Sequence, residues 1–216
     1  MKILILGISG RTDKLVASEA IKRGHKVVGI ARNPKNFTLD GAEVIEGTPY
    51  DSGTVQKAIT GCDAVIGTLS LISKDQGLFG KLKTPHDVMS VSMKNTVAAM
   101  ERQNIKRIVL MTALGVGDSD HELPGLFKFL IKISNIKYSY IDHDIQEKIL
   151  EKSDLDWTIV RPTGLNDKNE NTSVISKIGG NGKLNHGISR NAVAHFMLDC
   201  LEKDEFIKQK PGISNA

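Results

Sequence analysis

Only two thiols, Cys62 and Cys200, occur in 216 residues, far apart and without CxxC spacing. That excludes a disulfide framework and a structural zinc site, and a reducing compartment fits. Long apolar runs are also missing. No stretch approaches the roughly 20 residues of a membrane span, and the run before Gly7 is too short for a signal-peptide core. A soluble, cytoplasmic protein with no membrane partner is expected. Charge of one sign is nowhere gathered. The net charge is +4 and the isoelectric point near 9.0, but 29 basic and 25 acidic residues interleave along the whole chain. That describes an ordinary solvated surface and not a nucleic-acid-binding tract. No internal repeat is visible.

What is present is enough for one sizeable core: 40% apolar and 25% charged residues, in a length that open α/β sheets commonly fill as a single domain. Apolar, β-branched runs at Ile3 to Leu6, Val27 to Ala31, Val44 to Ile45, Ala64 to Thr68, Ile108 to Met111 and Trp157 to Val160 read as strands. Most are separated by stretches with helical spacing. Leu15, Val16, Ala20 and Ile21 form one helix side that stops at Gly24, and Ile141, Ile145 and Ile149 mark a later helix ending near Ser153. Continuous apolar strands alternating with helices imply right-handed crossovers and a sheet covered on both faces. The expected fold is therefore α/β: a Rossmann-type, doubly wound sheet of about six parallel strands with helices on both faces. Residues 166–187, containing "NDKNENTS" and "GGNGKLNHG", are too polar and glycine-rich to pack and are expected to form a mobile surface segment. "LPGLFKFLIKI", 123–133, reads as an apolar helix that lines a pocket, packs in the core or forms a dimer face; the oligomeric state is left open.

"GISGRTD", 7–13, follows the first strand directly. Gly7 and Gly10 at a strand-to-helix turn let the backbone approach a pyrophosphate, which the helix N-terminus can receive. Arg32 follows the second strand, where a basic residue holds an adenosine 2′-phosphate and an acidic one a ribose hydroxyl, so NADP is favoured with NAD also possible. Asp13 stands where a third glycine usually lets helix and sheet approach. Each like-charge pair with phosphate at about 6 Å costs roughly 3 kcal/mol at an effective dielectric near 20, and nearer 1 where water screens it. Arg11 and Lys14 are close enough in sequence to offset that charge, and a first-turn aspartate suits a helix N-terminus.

"LILGISGRT", "GIARNPKNF", "GCDAVIGTL", "RIVLMTALGVGDS", "DHDIQEKILEKSDLDWTIVRPTGL" and "HGISRNAVAHF" together resemble the NAD(P)H-binding family of atypical short-chain dehydrogenase-like proteins (NmrA-like, NADH-flavin-reductase-like and biliverdin reductase B-like). The likeness runs from Met1 to about Leu201, with "ALGVGDS" and "LDWTIVRP" its most specific parts. The resemblance implies a Rossmann domain binding NADPH or NADH, often with reductase activity towards flavins, quinones or other planar small-molecule acceptors. It also implies Gly7, Ser9, Gly10, Arg11 and Thr12 around the pyrophosphate, and Arg32 with Lys35 near the 2′-phosphate. Thr68 and Leu69 fall beneath the cofactor, Thr112 near the nicotinamide, His143 on the nicotinamide side, and Pro162 and Thr163 closing over it. The chain departs from the pattern at Asp13 and at Thr48, where the family often carries an aspartate for the adenine.

A typical short-chain dehydrogenase moves a proton with a Tyr-x-x-x-Lys pair, and none exists here: Tyr50, Tyr138 and Tyr140 are followed four residues on by Thr54, Asp142 and Asp144. Hydride transfer to a flavin or quinone asks less, since the acceptor's proton can come from water. Thr112 and His143 are the candidate catalytic residues. Thr112 has a hydroxyl to position acceptor or carboxamide, or merely to satisfy a strand end. His143 is an acid or orienter whose charged form Asp142 and Asp144 would favour, or a partly exposed helix histidine without a role. No metal is expected at Asp118, Asp120, His121 and Glu122, which read as a solvated loop. The two readings are an NADPH-dependent reductase and an NmrA-like module that senses the dinucleotide without turnover.

Overall fold

The first strand shows why the sheet is buried on both faces. Ile3 and Ile5 point into a core layer with Val16, Ala17 and Ala20, while Leu4 and Leu6 point into the opposite layer with Val55, Met93 and Met100. A period of two with apolar residues on both sides is the signature of a strand between two helix layers. The computed structural model describes residues 1–71, 79–82, 84–168, 173–179 and 182–216.

Ten strands are described: β1 (Lys2–Ile5), β2 (Lys26–Ala31), β3 (Ala42–Glu46), β4 (Ala64–Gly67), β5 (Arg107–Met111), β6 (Asp156–Pro162), β7 (Gly164–Asn166), β8 (Val174–Lys177), β9 (Gly187–Ser189) and β10 (Gly212–Asn215). Eight make the main sheet in the order β3-β2-β1-β4-β5-β6-β10-β8, and β7 pairs with β9 in a small parallel sheet. From β3 to β10 every pairing is parallel; β8 alone runs antiparallel, against β10. Strand order reverses between β1 and β4, and in an open α/β sheet the crevice beyond the carboxyl ends at such a point receives ligands.

Six α-helices are described: α1 (Arg11–Lys22), α2 (Ser52–Ala58), α3 (Val88–Arg102), α4 (Gly125–Ile133), α5 (Ile136–Glu151) and α6 (Arg190–Glu202). Residues of α1 and α6 share one core layer, those of α2, α3 and α5 the other. α1 ends as expected at Gly24: with φ +82, its amide donates to Ile21 and the next amide, of His25, to Ala20. That double bond satisfies two terminal carbonyls. Asp51 caps α2 by accepting from the Thr54 amide at 2.8 Å, and Ser189 caps α6 through Ala192 at 3.0 Å.

The sheet is wider than the six strands expected. β10 lies beyond the last apolar run, and β8 falls inside the polar segment 166–187. Of that segment, residues 169–172, 180 and 181 lie outside the described residues. The later helix forms where Ile141, Ile145 and Ile149 marked it, but the isoleucines do not make its buried face. Ile141 is 58% and Ile145 42% exposed, while Asp142, His143, Gln146, Glu147 and Leu150 are buried. α4 buries no residue at all: Leu126 is 84% exposed, so of the three roles considered for this helix, core packing is not the one observed. Among the described residues no helix is long and apolar enough to cross a membrane.

Candidate functional site

The turn from β1 into α1 is closed by its own backbone: the Gly10 amide donates to Gly7 O at 2.9 Å, and the Lys14 amide to Gly10 O at 3.0 Å. Gly10 is the N-cap and offers no side-chain oxygen, so the first amides of α1 keep their donors for a ligand. Side chains crowd both glycines. A Cβ on Gly7 would stand 2.7 Å from Leu69 Cδ2, and one on Gly10 2.2 Å from Asp13 Oδ2. Thr12 and Thr68 are buried beside the turn, Leu69 is half-buried, and Ser9 and Arg11 are exposed.

Asp13 therefore does not project over the turn; its carboxyl lies beneath Gly10, only 3% exposed. Burial pushes its pKa from 3.8 to about 7, although Thr68 and the local backbone pull the other way. Neither Asp13 Oδ1 nor Thr68 Oγ1 completes a hydrogen bond. The offset expected from Arg11 and Lys14 is not found. Arg11 pairs with Asp167 at 3.2 Å, and Lys14 lies 5.3 Å above the Phe37 ring. Asp167 also holds Arg190 at 2.5 Å, so one exposed carboxylate ties the turn to the start of α6.

Arg32 and Lys35 are exposed beyond the end of β2, Lys35 in the 3-10 turn Pro34–Asn36. Neither enters an ion pair among the described residues. Thr48 accepts the Tyr50 amide at 3.2 Å and follows Gly47, whose φ of +144 places it against Thr54.

A cavity of about 830 Å3 opens past the ends of β5 and β6, a volume usual for a small-molecule site. Thr112, Pro162 and Thr163 line it, as do Leu114, Phe127 and Tyr140. Tyr140 Oη donates to Leu114 O at 3.0 Å, and burial pushes its pKa up to about 12, so it is no acid at neutral pH. Thr112 Oγ1 donates to Glu147 Oε1 at 2.7 Å. Glu147 is gripped by Arg161 through both oxygens, and Arg161 reaches Asp118 at 2.5 Å. Asp118 then meets Lys210 at 2.9 Å.

His143 is not among the residues lining the cavity. It is 7% exposed rather than partly exposed, with Nδ1 3.1 Å from Gln146 Oε1. Burial lowers its pKa and outweighs the opposite pull of Gln146 and Asp142, so the ring is neutral, against the charged form expected from its acidic neighbours. Asp142 spends its charge on the amides of Met89 and Ser90, and Asp144 on Lys148. Asp120 pairs with Lys128 at 2.8 Å, and His121 Nδ1 is bonded to the Asp118 carbonyl at 2.9 Å. Cys62 and Cys200 are buried thiols.

The structure thus brings two groups of the expected residues together, one around the glycine turn and one at the cavity, and leaves His143 behind the cavity wall. Sequence reasoning missed Glu147, Arg161, Tyr140 and Lys177. The available signal was the polar spacing of Asp142, His143, Gln146 and Glu147, which share one face of α5.

A bare helix N-terminus over a glycine cradle, at the switch point of a parallel sheet, defines a dinucleotide-binding α/β protein. The NAD(P)H-binding family matches residues 7–204, and the chain belongs to it. Among curated proteins it is 27% identical, over 97% of its length, to divinyl chlorophyllide a 8-vinyl-reductase of Arabidopsis thaliana, of which it spans 52%. Among solved structures it superposes on a short-chain dehydrogenase/reductase of Veillonella parvula in complex with NADP, with a TM-score of 0.78 at 23% identity, covering 99% of this chain and 94% of that one. It also superposes on ChuY, an anaerobillin reductase of Escherichia coli O157:H7, with a TM-score of 0.80 at 20% identity, covering 100% and 97%. At these identities the solved structures show the fold alone. The chain spans about half the length of the chlorophyllide reductase it matches.

Proposed function

We propose that this chain binds NADPH in preference to NADH and uses it to reduce a planar small-molecule acceptor, such as a flavin or quinone, held in the cavity. The observation that carries the reading is the combination of parts on one molecule: an open helix N-terminus on a glycine cradle, two cations beyond β2 that enter no ion pair among the described residues, and a cavity at the ends of β5 and β6. The cofactor fits these residues. Gly7 and Gly10 leave room that a Cβ would fill, and Thr163 Oγ1 is buried without a partner beside the cavity. Asp13 is the one group that opposes it. When bound, the nicotinamide would supply hydride. The first amides of α1 hold the diphosphate above the glycine turn, Arg32 and Lys35 meet the 2′-phosphate, and Leu114, Phe127 and Leu165 exclude water from the acceptor's face. The NADP complex and the reductase names among its relatives are in keeping with this reading.

Thr112, Tyr140 and His143 provide no acid: two hydroxyl protons are committed inside the protein and the imidazole is neutral. The acceptor's proton then comes from water or from His121 or His186, which also line the cavity. The same observation favours a second reading, an NmrA-like module that binds the dinucleotide and signals without turnover. Calorimetric titration with NADPH, NADH and NADP+, followed by turnover with FMN, separates the two. Tighter NADPH than NADH with FMN reduction supports the reductase; equal NADPH and NADP+ affinities without turnover support the sensor; no binding defeats both.

A further inference from the structure

Thr112 lines the cavity, yet its proton already has a destination. Oγ1 stands 2.7 Å from Glu147 Oε1, and chemistry fixes the direction of that bond. A guanidinium carries only donors, and Arg161 reaches Oε1 through Nε at 3.1 Å and Oε2 through Nη2. Glu147 is therefore a carboxylate with nothing to donate, and Thr112 must be the donor. Burial acts against the charge of Arg161, but Glu147 and Asp118 outweigh it and hold the pKa above its ordinary value. Arg161 and Glu147 are both almost wholly buried, so the pair is a rigid fixture.

A hydroxyl has one proton and two lone pairs. With its proton turned to Glu147, all that Thr112 Oγ1 can offer a ligand in the cavity it lines is lone pairs. Tyr140, its proton given to Leu114 O, does the same from another wall. A carbonyl oxygen set against Thr112 would meet an acceptor, whereas an N–H would meet a partner.

We infer that Glu147 is a positioning residue: it makes Thr112 Oγ1 a hydrogen-bond acceptor, so the site takes up a ring that carries an amide-type N–H beside Thr112 and disfavours one with only a carbonyl there. The inference rests on the dinucleotide-dependent reading above. Two bound rings can carry such an N–H, the nicotinamide through its carboxamide and a flavin-like acceptor through its imide. The experiment tells them apart.

The full chain is titrated with NADP+ and with its 3-acetylpyridine analogue, in which a methyl ketone replaces the carboxamide. Losing one hydrogen bond predicts about tenfold weaker binding of the analogue. Thr112→Val should bring that ratio near one, and Thr112→Ser should keep it. Glu147→Gln should shrink it although Thr112 is intact; a merely structural Glu147 would weaken both ligands alike. The two Thr112 variants carry the test if Glu147→Gln does not fold. Should the wild-type ratio already be near one, N3-methylated flavin replaces flavin as acceptor. A roughly tenfold lower kcat/KM in wild type but not in Thr112→Val then places the N–H on the acceptor. If neither substitution is discriminated, or Thr112→Val leaves the discrimination unchanged, the positioning role is overturned while nucleotide binding stands. If wild type binds neither NADP+ nor NADPH, the functional reading itself falls.

Discussion

Two demands fall on the carboxyl of Asp13, and both ask for its neutral form. The fold wants it neutral, because it is buried without a charged partner, and a diphosphate above the same turn wants it neutral too. Its pKa of about 7 lies above the ordinary 3.8, so the folded form binds the proton more tightly than the unfolded chain. The resulting stability is fully present below pH 3.8 and is lost as the pH rises to about 7. A shift of that size corresponds to about 4 kcal/mol as an order of magnitude. Asp13→Asn is expected to flatten the pH dependence of urea unfolding between pH 4 and 7 and to raise stability at pH 8. NADPH affinity in the wild type should fall as pH rises through neutrality, and in the asparagine variant it should not. An unchanged unfolding profile in Asp13→Asn would mean that the carboxyl is solvated. Arg32 gives a second prediction at this scale: Arg32→Ala should weaken NADPH by about tenfold or more, the worth of a charged hydrogen bond, and leave NADH nearly unchanged. Equal losses in a paired titration would remove the 2′-phosphate assignment. The positions of the glycine turn after β1 and of Arg32 after β2 were legible because spacing after a strand carries them. The fate of Arg11 and Lys14 was not, because Asp167 and Phe37 reach them from distant parts of the chain.

α5 shows how a helix can be found by a pattern that does not mark its buried face. Ile141, Ile145 and Ile149 gave the helical period, but the buried face carries Asp142, His143, Gln146 and Glu147: Asp142 bonds to the start of α3 and Glu147 to Thr112, while His143 and Gln146 bond to each other within the helix. Periodicity reports a stripe and not its direction, and satisfied polar groups can occupy a core face as well as leucines do. Ile141→Lys is accordingly expected to change stability by no more than about 0.5 kcal/mol, whereas Leu150→Ala, on the buried side, should cost about 2–5 kcal/mol. Urea melts of the two variants check the assignment, and a large loss from Ile141→Lys would reverse it. The strands fared differently. Six of them announced themselves as apolar runs, while β8 and β10, no shorter than β1 and β4, are too mixed in polarity to do so and exist through pairing, β10 with β6 and β8 with β10.

At the scale of the molecule, one chain of charges runs from Thr112 through Glu147, Arg161 and Asp118 to Lys210 and Glu151. It joins β5, α5, β6 and the segment leading into β10. Glu147→Ala would leave Arg161 buried without compensation, and the loss should be about 3–5 kcal/mol. Chemical denaturation measures it, and a loss below about 1 kcal/mol would show that water reaches the guanidinium. No such network could be foreseen from the sequence, because its members are drawn from four separate stretches whose proximity only the sheet order creates.

That sheet order also sets a timetable. The strands around the glycine turn, β1, β2 and β4, are all made by residue 67, but the layer that covers α1 waits for α6 at Arg190–Glu202, and among the described residues β8 joins the sheet through β10, which ends at residue 215. With synthesis at roughly 5–20 residues per second, the strands at the glycine turn precede the strand that closes the cavity side by on the order of ten seconds. During that interval α1 has no α6 to cover it, so both ends of the sheet are completed together, late in synthesis.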